Sequence, residues 1–312
     1  MKAKTRVAVT LGDPGGVGPE VVAAALADPR VQALIEPLVL GDLRILELAA
    51  SLRRVPVPAA RQVSGPLSER PTQRELGAAS LAYVDAGIEA VLSGEASALC
   101  TAPLSKHRVS LAAPGFQGHT EHLALRTGAR VAMMMAGPRL RVVLATNHLA
   151  LRDVPFVLTP EQLTFVIVLS ARELRERFAI EAPRIAVCGL NPHAGDGGLF
   201  GDEEARLIAP AIEDARRQGV QVSGPLAADG LFPRAAAGAC DAVVALYHDQ
   251  GLIPAKLLDF RETVNVTLGL PFARTSPDHG TADDLAGLGT ADAEPMVSAL
   301  LLAARLGQEG RG

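Results

Sequence analysis

The spacing of apolar residues changes along the chain: short continuous apolar runs alternate with stretches in which apolar residues recur at helical spacing. Residues 6–11 form the first apolar run, and a glycine-rich segment, 12–18, separates it from a helical pattern that begins at Pro19. Proline suits a first helical turn because the N–H that it lacks would have no partner there. A second helix start lies at Thr159, and the apolar side chains behind it at helical spacing are Leu163, Ile167, Leu174 and Phe178. This alternation predicts an α/β fold with much parallel sheet.

Three of the apolar runs lead into polar segments that contain a histidine. The runs are 141–146, 184–190 and 241–247, and the histidines after them are His148, His193 and His248. Continuous apolar runs of this kind are typical of strands buried on both faces of a parallel sheet. Since ligand sites in open α/β sheets gather at the carboxyl ends of the strands, the three imidazoles could converge on one divalent transition metal.

The alternative for each histidine is a local hydrogen bond at the end of its strand, and for a single histidine that alternative is the better one. Three strands with the same ending favour a shared site. Asp196 and Asp249 lie close in sequence to two of the histidines and could orient their rings.

The glycine-rich segment does not identify a nucleotide site by itself. It lacks the Gly-x-Gly-x-x-Gly pattern of dinucleotide-binding turns, and no Gly-Lys-Ser/Thr follows that would make it a P-loop. A tight strand-to-helix turn accounts for the glycines, and a loop that lines a ligand cleft is the functional alternative. The pattern therefore identifies no cofactor-binding residue.

Two parts of the chain offer groups that suit a phosphate. His119 and Thr120 precede a helical pattern; Thr120 is expected to cap that helix, and the free N–H groups of its first turn suit a phosphate or carboxylate. Farther along, between strand-like runs, lie Lys256, Asn265 and Arg274. A lysine and an arginine beside a cleft are what a phosphomonoester requires, although a single surface cation is usually just solvated.

Composition narrows the class of protein. The 312 residues are 48% hydrophobic and 21% charged, as in a packed globular protein large enough for two lobes. The formal net charge, 30 − 34 = −4, and the aromatic content of 3% argue against a general binder of nucleic acids or membrane surfaces. The cysteines are widely spaced in apolar runs and are expected to be buried free thiols: Cys100, Cys188 and Cys240.

The sequence predicts neither an amino-terminal signal peptide nor a membrane helix. No apolar stretch approaches the roughly twenty residues of a membrane helix. The amino-terminal residues lack the long apolar core of a signal peptide, so a cytoplasmic protein is expected. Residues 299–312 are expected to form a last helix that frays toward its glycine end.

Seven strings, in order, resemble the 4-hydroxythreonine-4-phosphate dehydrogenase family over nearly the whole chain. They are VTLGDP at 9–14 with GPE at 18–20, GHTE at 118–121, HLALRDV at 148–154, GLNPHAG at 189–195, YHDQG at 247–251, VNVTLGLP at 264–271 and RTSPDHGTA at 274–282. Together they are far more specific than any one of them. The departures from the family pattern, at Gly15-Gly16 and Asn147, remove no proposed ligand.

The resemblance implies an activity and a set of site residues. It implies NAD(P)-dependent, divalent-metal-dependent oxidation of 4-phosphohydroxy-L-threonine to 2-amino-3-oxo-4-(phosphooxy)butanoate, which decarboxylates to 3-amino-2-oxopropyl phosphate in pyridoxine 5'-phosphate (vitamin B6) biosynthesis. One divalent ion per subunit (zinc, magnesium or cobalt) would be held by His148, His193 and His248. Substrate contacts would come from His119, Thr120, Lys256, Asn265 and Arg274. Asp249 and Lys256 are the candidates for the general base.

The resemblance also implies the architecture. Members of the family resemble the isocitrate/isopropylmalate dehydrogenase fold, a two-lobed α/β/α sandwich with a cleft between the lobes and an active site at a homodimer interface. The first lobe would be discontinuous, 1–130 plus 268–312, and the second, 131–267, would carry the histidines. That fold binds NAD(P) without the usual Rossmann fingerprint, in keeping with its absence here.

Three other functions stay open. A paralogous dehydrogenase of 4-phospho-D-threonate or 4-phospho-D-erythronate would share the fold and the histidines. A metal-dependent phosphohydrolase would use the histidines to activate water and would release phosphate without a cofactor. A non-enzymatic binding protein for phosphorylated metabolites would be stabilised by its ligand without turning it over.

Overall fold

The computed structural model describes residues 3–309, and the chain divides into two compact units. The first unit contains residues 1–131 and 270–312, and the second contains residues 132–269. The lobe boundaries expected from the sequence, 130/131 and 267/268, lie close to these divisions at 131/132 and 269/270. The assignment of the lobes as separate domains stays a prediction.

The sheet of the first unit consists of parallel strands. They are β1 (Thr5–Thr10), β2 (Ile35–Gly41), β3 (Ala60–Gln62), β4 (Ala98–Thr101) and β11 (Ala273–Pro277). Their order is β3-β2-β1-β4-β11, and each neighbouring pair is parallel. Every residue of β4 and of β11 is buried, as expected for strands that are covered on both faces.

Helices connect or flank these strands along the chain in the first unit. They are α1 (Gly18–Leu26), α2 (Pro29–Leu34), α3 (Leu43–Arg53), α4 (Gln73–Leu92), α5 (Lys106–Ala112), α6 (His119–Thr127) and α12 (Glu294–Glu309). The helix predicted at Pro19 is α1, with the proline in its first turn. The last helix begins five residues before its predicted start (299 − 294 = 5), and the rest of the predicted tail, 310–312, lies outside the described residues.

The second unit has a mixed sheet. Its strands are β5 (Ala132–Ala136), β6 (Arg141–Leu144), β7 (Arg184–Cys188), β8 (Gln221–Leu226), β9 (Ala242–Ala245) and β10 (Val264–Leu268), in the order β10-β5-β6-β9-β7-β8. The β10–β5 and β5–β6 pairs are antiparallel, and the others are parallel. The three apolar runs that end in histidines are therefore confirmed as strands β6, β7 and β9.

Five α-helices are described for the second unit. They are α7 (Val154–Val157), α8 (Pro160–Phe178), α9 (Ala209–Arg217), α10 (Ala228–Ala236) and α11 (His248–Asp259). Thr159 caps α8 as predicted, because its side-chain oxygen accepts the Gln162 N–H at 3.2 Å. Leu163 and Ile167, from the predicted apolar stripe, are fully buried.

The cysteines are free, and two of them are buried as predicted. Burial raises the pKa of the Cys100 and Cys188 thiols to about 12, so both stay protonated at neutral pH. Cys240 is only half-buried, since it lies in the turn before β9 rather than within the strand.

Within residues 3–309, no single helix is both long and apolar enough to cross a membrane. The helical segments Leu151–Val157 and Pro160–Phe178 meet the length and composition criteria only when they are counted as one helix. The chain bends by 93° between the two segments.

Candidate functional site

The strands that precede the three histidines are neighbours in the second unit. Strand β9 pairs in parallel with β6 on one side and with β7 on the other, with Leu144 opposite Ala245 and Val187 opposite Val244. Parallel neighbours in this register end at the same edge of the sheet. The loops that carry His148, His193 and His248 therefore start from one edge, as the sequence predicted.

Two of the histidine rings lie side by side at this edge. The ring centroids of His148 and His248 are 5.5 Å apart, and the ring planes are tilted by 41°. An imidazole nitrogen lies about 2.0–2.1 Å from a bound zinc ion, so two rings on one ion are expected to have centroids roughly 5 Å apart. The pair thus fits two ligands of a single divalent ion, and the exposure of His148 leaves the pair accessible from solvent.

Asp249 sets the orientation of His248. Its Oδ1 lies 2.6 Å from Nδ1 of the His248 ring. An ionised carboxylate only accepts hydrogen bonds, so the ring donates from Nδ1 and presents Nε2 as the ligand atom. This arrangement agrees with the orienting role that the sequence suggested for Asp249.

His193 lies in a turn with an unusual backbone after β7. Its φ is 54°, in the left-handed region, and its ring centroid lies 6.3 Å from that of Phe200. Among residues 3–309, no group of three or more His, Cys, Asp or Glu side chains is arranged to hold a metal ion. The structure therefore brings together two of the three predicted ligands, and the assignment of the third stays a prediction. Asp196, the other suggested orienting group, is exposed in the same turn.

Lys256 and Asn265 lie elsewhere in the second unit. Lys256 is in the last turn of α11, eight residues after His248 (256 − 248 = 8), which is roughly 12 Å along a helix axis. Asn265 is the second residue of β10 and pairs with Met135, while its Nδ2 lies 3.5 Å from Met133 Sδ. Of the two base candidates, Asp249 is beside His248, whereas Lys256 lies in the last turn of the helix that His248 begins.

Some polar atoms of the second unit are buried without a hydrogen bond to any described residue. They are Oδ1 of Asn147, beside His148, and Oδ1 of Asn265. A buried polar atom without a partner is unfavourable, and a bound ligand can supply the missing partner. Asn265 is therefore placed to accept from a ligand, as expected of a substrate contact.

In the first unit, α6 begins at His119 and not after Thr120. Gly118 is the residue before the helix, and its φ of 151° is one that residues with side chains rarely adopt. The glycine lets the chain enter the helix early, so Thr120 lies inside the first turn. The prediction that Thr120 caps the helix is wrong. Among residues 3–309, no side chain caps this end, so the N–H groups of the first turn suit an anion.

Arg274 lies on β11, beside β4 in the first unit's sheet. Its side chain is fully buried on β11, and its Nη2 donates to Oγ1 of Thr101 at 2.6 Å. Burial lowers the pKa of Arg274 to about 10, which still leaves the guanidinium charged at neutral pH. A buried cation whose side chain reaches the last residue of a neighbouring parallel strand is suited to a phosphate or carboxylate.

His119 is neutral at neutral pH. Burial, and then the charges of Arg274, His122 and Lys106, lower its pKa well below the ordinary value of 6.5. Its Nε2 is buried and makes no hydrogen bond to the described residues. The ring can therefore donate to or accept from a ligand without carrying a charge of its own.

Sequence reasoning missed two polar residues beside Arg274. Thr101 ends β4 and Thr10 ends β1; the two are paired across the sheet, and both are fully buried. Thr10 Oγ1 has no hydrogen-bond partner among the described residues. The rule that drew attention to the histidines, a polar residue at the end of an apolar strand, would have found both.

The glycine-rich segment is a folded turn of the first unit. Asp13 is fully buried, accepts the Gly15 N–H at 2.8 Å, and pairs with Arg108 at 3.0 Å. At Gly12, with a φ of 70°, an added Cβ would lie 2.3 Å from the Pro103 carbonyl oxygen. These contacts account for the glycines by backbone geometry alone, so the segment identifies no cofactor contact.

Known proteins similar to this chain cover nearly all of it. The family model described as "Pyridoxal phosphate biosynthetic protein PdxA" matches residues 33–303. The chain is 48% identical to the 4-hydroxythreonine-4-phosphate dehydrogenase of Geobacter metallireducens, over 97% of this chain and 96% of that protein. A crystal structure of 4-hydroxythreonine-4-phosphate dehydrogenase from Klebsiella pneumoniae matches with a TM-score of 0.88 and 39% identity, over 99% of this chain and 100% of that chain.

A further relative carries a different substrate in its name. The protein from Symbiobacterium thermophilum provisionally named D-threonate 4-phosphate dehydrogenase is 39% identical, over 98% of this chain and 97% of that protein. The likeness of the structures confirms the α/β fold predicted from the sequence.

Proposed function

Because the chain belongs to the family of the pyridoxal phosphate biosynthetic protein PdxA, we propose that it oxidises 4-phosphohydroxy-L-threonine with a nicotinamide cofactor. The product is 2-amino-3-oxo-4-(phosphooxy)butanoate, a β-keto acid that loses carbon dioxide to give 3-amino-2-oxopropyl phosphate. The observation that carries the proposal is the 48% identity, over 97% of the chain, to a protein named as that dehydrogenase.

The residues proposed to hold a divalent ion are His148, His193 and His248. An ion held there would supply a Lewis acid for the reaction, and a bound nicotinamide cofactor would supply a hydride acceptor. The 5.5 Å between the ring centroids of His148 and His248 supports this proposal, as does the 2.6 Å contact between Asp249 Oδ1 and His248 Nδ1. Imidazole donors suit zinc or cobalt better than magnesium, which prefers oxygen ligands.

The anionic groups of the substrate are assigned to His119, Thr120, Lys256, Asn265 and Arg274. Arg274 supplies a fixed positive charge, because its guanidinium is buried and oriented by Thr101. The uncapped first turn of α6 supplies N–H donors, and neutral His119 adds a polar atom without a charge. This combination favours a phosphomonoester or carboxylate over a neutral group.

Asp249 and Lys256 remain the two candidates for the general base. Asp249 shares a 2.6 Å hydrogen bond with His248, so its first role is to orient that ring. Lys256 would take up the alcohol proton only if the reacting carbon lay near the far end of α11. Lys256 lies roughly 12 Å along the axis of α11 from His248, a separation that favours a site to which a second copy of the chain contributes.

An apolar stripe on α11 supports the proposal of a homodimer. Ile253, Leu257 and Phe260 are 63%, 84% and 69% exposed and follow one another at helical spacing. Gly251, Leu252 and Ala255, on the opposite face, are buried. A monomeric protein rarely exposes such a continuous apolar surface, and a second copy that covered it would lie beside Lys256.

The choice between NAD and NADP is not part of the proposal, because no residue has been assigned to the cofactor. A cytoplasmic location, expected from the sequence, also stays a prediction, which fractionation of the source cells would test.

A second candidate function has specific support. A relative with 39% identity bears the name D-threonate 4-phosphate dehydrogenase, and its substrate differs in the group beside the reacting carbon. The same cation and helix terminus would bind the phosphate of either substrate. The two functions therefore differ in substrate preference alone.

The decisive experiment is a turnover assay on protein stripped of metal by a chelator. NAD(P)H formation would be followed with 4-phosphohydroxy-L-threonine or 4-phospho-D-threonate, each with and without added zinc, cobalt or magnesium. Metal-dependent reduction of the cofactor with the amino acid is expected. Faster turnover of the threonate would replace the first function by the second. Phosphate release without a cofactor would contradict both.

A further inference from the structure

The turn that carries His193 has a backbone that few residues with side chains tolerate. From His193 to Gly197 every φ is positive, and three of these five residues, His193, Ala194 and Asp196, are not glycine. Left-handed backbone at a residue with a Cβ is strained and persists only where surrounding contacts enforce it. Contacts from a group outside the turn must therefore stabilise its left-handed conformation.

The carboxylate of Glu204 is that group. Its Oε1 accepts the N–H groups of Leu190 and Asn191, both at 2.8 Å, and its Oε2 accepts Nδ2 of Asn191 at 3.0 Å. Glu204 is buried, with 7% of its surface exposed. The three donors all belong to the two residues that lead into the turn.

The turn also folds tightly against this carboxylate. A Cβ on Gly195 would lie 2.7 Å from Glu204 Oε2, and one on Gly189 would lie 2.7 Å from the Cα of Ala194. Glu204 itself starts a single wide helical turn, Glu204–Ile208, of the π type that occurs often at functional sites. The glycines permit the approach, and Glu204 supplies the hydrogen bonds.

Gln250 connects the same loop to the helix of His248. Its Oε1 accepts the Leu246 N–H at 2.7 Å, and its Nε2 donates to the carbonyl oxygen of Gly189 at 2.8 Å. Gly189 is where the loop leaves β7. The loop is thus anchored by Gln250 at Gly189, where it starts, and by Glu204 at Leu190 and Asn191.

We infer that Glu204 positions His193 for metal binding by anchoring residues 190–191, which lead into the left-handed turn at residues 193–197. Glu204 touches neither substrate nor metal in this role; it acts through the backbone of Leu190 and Asn191. The inference rests on the proposed function, because it gives His193 the role of a ligand. It adds a residue that the sequence did not single out.

The test is Glu204→Gln, with Glu173→Gln as its matched control. The amide keeps the shape of the side chain but has one acceptor oxygen and faces an N–H donor with its own N–H groups. Glu173 is equally buried and accepts from Arg172 and Arg177 on α8, without contact to the His193 loop. Both variants lose a buried carboxylate, and only one of them disturbs the turn.

Two readouts are measured on the full-length protein. In metal-free protein, amide hydrogen exchange in residues 189–201 should become about tenfold faster in Glu204→Gln and stay unchanged in Glu173→Gln. Cobalt affinity, measured by competition with a chelating dye, should fall roughly ten- to hundredfold in Glu204→Gln and remain at the wild-type value in the control.

The outcomes separate this inference from the proposed function. Wild-type exchange and wild-type cobalt affinity in Glu204→Gln would overturn the positioning role while leaving the metal site intact. An equal loss of affinity in both variants would also overturn it, since the loss would then follow general stability. A wild-type protein that binds no divalent ion would remove the metal role, and with it the proposed function of His193.

Discussion

The guanidinium of Arg274 donates to the hydroxyl oxygen of Thr101 over 2.6 Å, and both residues are buried on neighbouring parallel strands of the first unit. A buried guanidinium is costly unless hydrogen bonds surround it. Here the neutral threonine hydroxyl accepts from the guanidinium and orients it without adding a negative charge. We expect the guanidinium to bind an anionic group of the ligand.

Arg274→Lys is expected to impair substrate binding. The lysine keeps the charge but loses the planar fork that can contact both Thr101 and an anion. A hydrogen bond to a charged group contributes about 1.5–3 kcal/mol, so KM for the phosphorylated substrate should rise roughly ten- to hundredfold. Steady-state kinetics would measure this, with exposed Arg172→Lys as the control. An unchanged KM in Arg274→Lys would contradict the assignment of Arg274 to the substrate.

His148→Ala and His248→Ala should each abolish metal-supported turnover. Neither ring is fully buried, so the fold should tolerate both changes. Cobalt affinity should fall by at least about a hundredfold in each, because each removes a direct ligand. His107→Ala, at an exposed position on α5, serves as the control. Metal-dependent turnover at the wild-type rate in either variant would exclude that histidine as a ligand.

The lowered pKa of His119 predicts a pH dependence of stability. Below pH 6.5 the unfolded chain takes up a proton on this histidine, whereas the folded protein does not until its lower pKa is reached. The contribution of His119 to the free energy of unfolding is therefore fully present above pH 6.5. As the pH falls below 6.5, the free energy of unfolding decreases by at most about 1.4 kcal/mol per pH unit.

His119→Asn removes this contribution. The difference in the free energy of unfolding between wild type and variant should change between about pH 5 and pH 7, and stay constant above that range. Urea unfolding at several pH values would measure it, with His107→Asn as the control. A difference that does not vary with pH would show that His119 titrates normally in the folded protein.

Leu257→Lys should disrupt the proposed homodimer. The lysine places a charge in the middle of the exposed stripe on α11, where a second copy would bury it without a partner. Analytical ultracentrifugation should show a shift from dimer to monomer, together with a loss of turnover. Leu48→Lys, at a residue of α3 that is 57% exposed, should leave the assembly unchanged. A wild-type monomer would contradict the homodimer itself.

Local pattern was sufficient for the elements and for most of the site candidates. Apolar runs predicted strands β6, β7 and β9, and Thr159 predicted the start of α8, because burial on both faces and helix capping depend on residues close in sequence. The same locality explains an error. Thr120 has the side chain of a typical N-cap, but the conformation of Gly118 starts α6 two residues earlier (120 − 118 = 2). The backbone angles of a single residue cannot be seen in the sequence pattern.

The sequence by itself determined which residue types stand at the ends of the strands; the tertiary structure alone decided which of them meet. His148 and His248 are a hundred residues apart (248 − 148 = 100), and their rings lie together because β9 inserts beside β6, an order that no local pattern encodes. No sequence pattern distinguished Glu204 from the other acidic residues. Only the fold shows that it is buried against the loop of His193. Hydrophobic period sets each element, whereas the convergence of polar groups depends on strand order and on long-range hydrogen bonds.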